Sequence, residues 1–428
     1  MAAKRVAMNL LWCVPGVGGS EEYLIRQLVG LSSIAHDYEV EVFAPRGFSL
    51  RHPEIADDFI VHEAPNECLR RSQRIVLEHT WLAWNTRSFD VVHHGGGTIP
   101  RLGNRRTLLT VHDVQWTEYP EYVSPVKLKY LKATVPSSLR RARRIAVPSR
   151  FVVGTLEKAF GVSRDKMAVV RHGLQENIDT EITSSTGIRN KFELGDGPVL
   201  VYPAITHPHK NHLFLLGLLS SGVGAWADPT LRLVFAGSEG SAQEEVETFI
   251  AEHQLGDRVL MPGRVSNADR NGLLAMADAM VFPSEYEGFG APVIEAMKFG
   301  CPVICSDRGS LPEVVGDAGM VCPLDIDAWG RALDAVRVRR EELVHSGRER
   351  ARMFTAALSA ADLLREYEQR LVNAIKKETC TGLEAMYNRS REIAMRLSLI
   401  IARSMGQDEI SADAMQWSID YVNHYAIQ

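Results

Sequence analysis

The stretch 279–323, AMVFPSEYEGFGAPVIEAMKFGCPVICSDRGSLPEVVGDAGMVCP, constrains the fold more than any other part of the chain. Three apolar runs, at 279–282, 302–305 and 320–322, are too short for helices and sit among Gly, Pro and Ser, so they read as parallel strands. Between the first two, residues 291–299 read as a helix. Pro292 falls in its first turn, where a missing N–H costs nothing, and Gly300 falls just past its end. In a parallel α/β sheet, ligands gather at the carboxyl ends of strands, which is where the loop before this helix lies. Glu287 on that loop and Glu295 in the helix can therefore face one ligand at the helix N-terminus. Gly288 and Gly290 have no Cβ, so backbone amides can approach that ligand closely, and free amides at a helix start attract phosphate. A plain strand-to-helix connection with two surface glutamates fits the same residues.

The segment Glu287-Gly-Phe-Gly-Ala-Pro-Val-Ile-Glu295 resembles the E-x7-E signature of the retaining glycosyltransferases of family 4, which have the GT-B fold. The likeness extends through Ala296-Met297, Gly300, Pro302-Val303 and Leu311-Pro312-Glu313-Val314-Val315, and covers roughly residues 5–376. It implies an α/β protein with two Rossmann-like domains whose parallel sheets face a cleft. It also implies that Glu287 meets the donor sugar near the reacting centre and Glu295 the nucleotide ribose. The backbone of Gly288, Phe289, Gly290 and Ala291 would meet the donor hydroxyls and diphosphate.

The composition suits such a protein. A chain of 428 residues, 45% apolar and 24% charged, is long enough for two or three ordinary globular domains. No apolar run approaches the ~20 residues of a membrane span. Residues 6–14 continue into a glycine loop, so they read as a buried first strand (5–14) and not as a signal peptide. The six cysteines have no C-x-x-C spacing, which suits reduced thiols in a cytoplasmic protein. The net charge of −5 is unevenly divided: residues 1–186 are net basic and the rest acidic. Basic clusters at Arg70-Arg71, 101–106 and 140–144 read either as solvated surface or as contacts to anionic lipid on the inner face of the plasma membrane. Nucleic acid is not an expected partner.

In order, the first half alternates strand and helix. The loop Pro15-Gly16-Val17-Gly18-Gly19-Ser20 leads into a helix at 21–33, with Ser20 as a candidate N-cap. It lacks the full G-x-G-x-x-G spacing, and it also fits a tight turn. By resemblance, Gly18 and Gly19 face phosphate or acceptor across the cleft. Strands are expected at 39–44, 89–93 and 107–112. The last ends in His112-Asp113, similar to the family's strand end at which the His hydrogen-bonds the donor sugar; Asp113 is expected to orient it. Trp116, Tyr119 and Tyr122 follow, fit either to stack on sugars or to pack. Helices are expected at 125–143 and 149–160, strands at 145–148 and 167–172, and a linker at 175–186.

The second half opens with a strand at 198–202 and the loop Pro203-Ala-Ile-Thr-His-Pro-His-Lys210-Asn211-His212 before a helix at 213–219. Lys210 matches the family lysine that meets the donor diphosphate. The arginine usual upstream is absent, as in a subgroup with a Pro-His-Lys-Asn-His loop that includes many mannosyltransferases of polysaccharide and O-antigen assembly. Arg264 is a candidate for the missing cation. His207, His209 and His212 superficially resemble a metal cluster, but the GT-B chemistry implied needs neither metal nor cofactor. Strands at 231–236 and 259–261 complete this half. Helices are expected at 324–344 and 360–376, the last crossing back to the first domain. Amphipathic helices at 382–404 and 411–425 lie beyond the resemblance, as a hairpin for docking on the main body or for homo-oligomerisation.

The domains expected are thus 1–180 (acceptor side), 187–355 (nucleotide-sugar side), 356–377 (crossover helix) and 378–428 (helical module). The function implied is metal-independent, retaining transfer of a hexose, mannose favoured, from a nucleotide-sugar such as GDP-mannose to a hydroxyl of a glycan or lipid-linked acceptor. A GT-B nucleotide-sugar epimerase and a noncatalytic nucleotide-sugar-binding subunit are the alternatives.

Overall fold

The computed structural model describes residues 4–15, 19–104, 106–174 and 181–378. Gly18 and the two helices expected after residue 381 lie outside them. Contacts divide the chain into one compact unit, Met1–Tyr367, and a second, Glu368–Gln428, of which residues 368–378, the end of the Ala356–Glu378 helix, are described.

Two parallel sheets organise the first unit. The first contains β1 (Lys4–Asn9), β2 (Tyr38–Ala44), β3 (Ile60–Glu63), β4 (Val91–His94), β5 (Thr107–Thr110), β6 (Arg144–Val147) and β7 (Met167–Val169), in the order β3-β2-β1-β4-β5-β6-β7. The second contains β8 (Val199–Val201), β9 (Arg232–Val234), β10 (Val259–Leu260), β11 (Ala279–Phe282), β12 (Val303–Ser306) and β13 (Met320–Cys322), in the order β10-β9-β8-β11-β12-β13. Every pairing is parallel. The central strands are wholly buried and mostly apolar, as expected when helices cover both faces, with the buried His93 and His94 of β4 the main exception. Both domains are therefore Rossmann-like. In each, the strand order reverses once, between β1 and β4 and between β8 and β11. The crevices at those reversals open at the strands' carboxyl ends.

Several expectations need correction. The first strand stops at Asn9, because Leu10 and Leu11 turn away and the Leu11 amide takes the Asn9 side chain. Ser20 lies inside the Gly19–Ser32 helix and does not cap it. The single helix expected at 324–344 is two, Ile326–Val338 and Arg340–Arg352, broken at Arg339. The five described cysteines are buried and unpaired, consistent with thiols that pack as small apolar groups.

The chain crosses between the two domains twice, and the crossings touch. Leu174 pairs with Thr355, with hydrogen bonds from the Leu174 amide to the Phe354 carbonyl and from the Ala356 amide to the Leu174 carbonyl. A Cβ on Gly173 would lie 2.5 Å from the Ala356 Cα, so this approach requires glycine. From there the helix that begins at Ala356 lies, as far as Tyr367, along the first domain. Arg144 pairs with Glu366, Arg171 with Asp362, and the Tyr367 hydroxyl meets the His93 ring at 3.0 Å.

Candidate active site

The loops at the two crevices meet. β11 ends at Phe282, and after Pro283 the chain runs through the cleft as Ser284-Glu285-Tyr286-Glu287-Gly288-Phe289-Gly290 before the Ala291–Lys298 helix. Gly290 sits at φ 88°, which ordinary residues rarely adopt, and sets the helix entry. The Glu287 carbonyl is held by the amide and hydroxyl of Ser310, at 3.1 and 3.0 Å. Its side chain is consequently fixed from behind and points to Lys210.

Lys210 and Glu287 form an ion pair of 2.5 Å, and both side chains are largely buried. Lys210 comes from the short turn Pro208–Lys210 after β8, so the pair joins the two loops at the second crevice. The Lys210 carbonyl accepts from the Tyr202 hydroxyl, which anchors the turn to the core. Beside the pair, the amides of Gly288, Phe289 and Gly290 donate no hydrogen bond to any described residue, and Ala291 opens the helix, where amides lack intrahelical partners. This cluster of free donors next to a lysine is suited to a diphosphate.

The first domain closes the cleft from the other side. A Cβ on Gly288 would lie 2.3 Å from the His112 carbonyl oxygen, so the Glu287 loop rests directly on the His112-Asp113 strand end. The His112 ring packs between Trp12 and Tyr23. Its Nε2 donates to the Gly95 carbonyl at 3.0 Å, which leaves Nδ1 as a buried acceptor without a partner. Burial lowers the His112 value to about 4, against the opposing pull of the Gly95 carbonyl, so the ring is neutral. Asp113 does not orient it: that carboxylate accepts from the Gln115 amide at 3.0 Å. Asp113 keeps an exposed edge at the cleft; desolvation by the groups packed around it, then the Glu287 carboxylate, push its carboxyl up, against the Gln115 amide and Lys210.

The two glutamates go to different partners. Glu295 is buried and pairs with Arg26 of the Gly19–Ser32 helix at 2.6 Å, with Arg270 at 3.8 Å. Burial alone would raise its carboxyl; the two guanidiniums outweigh burial and hold it below the usual range. The Phe289 side chain turns from the cleft and stacks on His172, centroids 4.5 Å apart. Arg264 is exposed beyond β10, and among the described residues no ion pair ties it to Lys210 or Glu287. Gly19 opens its helix, exposed. The three histidines do not converge: the rings of His207 and His209 stack, while that of His212 packs on Tyr202 and Phe235 in the core.

Sequence reasoning missed the residues that hold the domains together. Ser149 caps the Arg150–Phe160 helix and donates its hydroxyl to the Gly288 carbonyl at 2.6 Å. Glu313, from the second domain, accepts from the Arg150 and Phe151 amides at that same helix start. Arg26 carried no local signal, since an arginine on a helix ordinarily reads as surface.

Comparison with known proteins agrees with this fold. Residues 17–177 match the family described as Glycosyltransferase Family 4, and residues 185–352 match Glycosyl transferases group 1. O-antigen chain mannosyltransferase B of Escherichia coli is 30% identical over 251 residues, covering 58% of this chain and 65% of that protein. GDP-mannose:cellobiosyl-diphosphopolyprenol alpha-mannosyltransferase of Xanthomonas campestris is 28% identical over 261 residues, covering 59% and 64%. The chain thus spans just under two thirds of the length of these relatives. The structure of sucrose-phosphate synthase from Thermosynechococcus elongatus superposes with a TM-score of 0.67 at 20% identity, over 86% of this chain and 100% of that one, a likeness of fold.

Proposed function

For a chain that carries a Glycosyltransferase Family 4 domain followed by a Glycosyl transferases group 1 domain, and is in this sense a glycosyltransferase of the GT-B type, we propose transfer of a mannosyl group from GDP-mannose to a hydroxyl of a glycan or lipid-linked acceptor, with retention and without metal. The observation that carries this reading is the Lys210–Glu287 pair at the start of the Ala291–Lys298 helix, facing His112 across the cleft. The choice of mannose and of GDP rests on the relatives that share the fold's sequence pattern.

In this reading the diphosphate lies over the amides of Gly288 to Ala291 with Lys210 beside it. As the bond from C1 to the diphosphate oxygen breaks, negative charge grows on the leaving group. Lys210 and the amides meet it in a site where little reorganisation is needed, usually the largest single contribution to such catalysis. Glu287 stabilises positive charge at C1 and holds the sugar. The acceptor oxygen bonds to C1 on the face the diphosphate leaves, and its proton passes to a departing phosphate oxygen. His112, neutral, offers Nδ1 to a sugar hydroxyl. Glu295 retains lone pairs for the ribose, since its contact to Arg270 is long. Arg264 is assigned no part in this chemistry.

The test is nucleotide release from GDP-, UDP-, dTDP- and ADP-sugars in the presence of a glycan or lipid-linked hydroxyl acceptor, with the product anomer read by NMR and the assay repeated in EDTA. GDP-mannose turnover with an α-linked product, undiminished by EDTA, supports the reading. An inverted product or loss in EDTA contradicts its stereochemical or metal-free part, and a free epimerised sugar nucleotide favours the epimerase alternative.

A further inference from the structure

Tyr119 and Tyr122 lie on the loop beyond Asp113. Their rings are parallel within 6°, with centroids 5.4 Å apart. The pair reaches both loops that carry Lys210 and Glu287. Tyr119 meets Tyr286, the residue before Glu287, at 6.1 Å with its ring nearly perpendicular. Tyr122 lies 6.4 Å from the ring of His209, the residue before Lys210. Phe151 supports Tyr286 at 5.3 Å. Tyr122 leaves 39% of its surface exposed, so the pair is open to solvent on that side.

The surroundings are polar and mostly acidic. Burial, then Glu285 and Glu118, raise the Tyr119 phenol, with Arg308 opposing; burial, then Glu285, Glu121 and neighbouring Tyr119 and Glu245, raise that of Tyr122. A flat apolar surface edged by carboxylates suits a pyranose, whose C–H face stacks while its hydroxyls donate to the rim. The same rim repels an anion. The donor amides follow Glu287 in its loop and Lys210 lies on the separate turn Pro208–Lys210, whereas the tyrosines belong to the first domain, so a sugar stacked on them approaches the reacting centre from that domain.

We propose that Tyr119 and Tyr122 form the platform on which a neutral pyranose of the acceptor stacks beside Glu287, and that a sugar phosphate is disfavoured there. This rests on the glycosyltransferase reading above. The platform explains why two adjacent phenol rings of one domain are held against the reacting loops of the other. It assigns acceptor selection to side chains distinct from those proposed for the donor.

The experiment is saturation-transfer NMR on the full chain with methyl α-D-mannopyranoside, methyl β-D-glucopyranoside and mannose 6-phosphate, for wild type, Tyr122→Ala and Tyr122→Phe. The expected result is transfer to the ring C–H protons of at least one neutral glycoside and far less to mannose 6-phosphate. Tyr122→Ala weakens binding about tenfold, equivalent to ~1.4 kcal/mol, and Tyr122→Phe restores it. Binding of neither neutral glycoside, equal binding of the phosphate, or full binding by Tyr122→Ala overturns the proposal. Binding of GDP-mannose to the wild-type chain, read as a rise in melting temperature without any acceptor, tests the glycosyltransferase reading separately, so the two fail independently.

Discussion

Arg26 and Glu295 form a buried ion pair of 2.6 Å that ties the Gly19–Ser32 helix of one domain to the Ala291–Lys298 helix of the other. Arg26 also reaches Glu22 one turn back and the Gly173 carbonyl where the chain crosses between domains. One side chain therefore senses both the crossing and the helix that carries the proposed diphosphate site. Removing either member leaves a charge stranded in low dielectric, which typically costs about 3–5 kcal/mol. Arg26→Met should lower stability by roughly that amount in urea denaturation. Pairing it with Glu295→Gln should recover part of the loss, a coupling a double-mutant cycle measures directly.

The same pair sets an acid limit. Because the folded Glu295 carboxyl lies below its ordinary value of 4.5, its contribution to stability is fully present above about pH 4.5 and disappears as pH falls through the lower folded value. Melting temperature measured from neutral pH downward should fall in that acid range, and more shallowly in Glu295→Gln. Parallel curves would contradict the assignment.

His112 should be electrically silent near neutrality. With its value lowered to about 4 by burial, a histidine that ordinarily titrates near 6.5 stays neutral from about pH 5 upward. Its ring carbon resonance in a pH titration should not move between about pH 5.5 and 8. A midpoint near 6.5 would mean the ring is solvated and the closed cleft described above is wrong.

Gly288 should tolerate no side chain. The would-be Cβ of Gly288→Ala meets the His112 carbonyl at 2.3 Å and the Asp113 Cβ at 3.1 Å, so the loop must withdraw and carry Glu287 with it. Misplacing a reacting group by about 1 Å can cost on the order of 10²-fold in rate. Turnover should drop by that order while melting temperature changes little, because the strain is relieved by opening the cleft.

The sequence carried the second sheet most clearly. The runs Ala279–Phe282 and Met320–Cys322 are strands with the expected ends, because short apolar segments between Gly and Pro leave few alternatives. β3, Ile60-Val-His-Glu63, was invisible: it is a half-exposed edge strand with no apolar run or alternation to mark it. The helix break at Arg339 follows Val338 and precedes Arg340, with neither Gly nor Pro to signal it. At the site, Glu287 stood out on a strand-end loop eight positions before Glu295 and Lys210 through the family resemblance of its loop, and the structure brings the two together. Arg26 did not, since its partner lies 269 residues away and only the fold reveals the pairing. Ser149 and Glu313 were hidden for the same reason, their contacts crossing from one domain to the other.

The most direct test of the account is nucleotide release from GDP-mannose by the wild-type chain and by Glu287→Gln. Glutamine keeps the shape and removes the charge that Lys210 faces. The account predicts release by the wild type and a loss on the order of 10²-fold or more in the variant, the scale seen when a single preorganised electrostatic group is removed, beyond whatever stability is lost by leaving Lys210 without its partner. Equal rates in the two chains would contradict the role given to Glu287. No release by the wild type from any of the four nucleotide-sugar classes would contradict the proposed reaction.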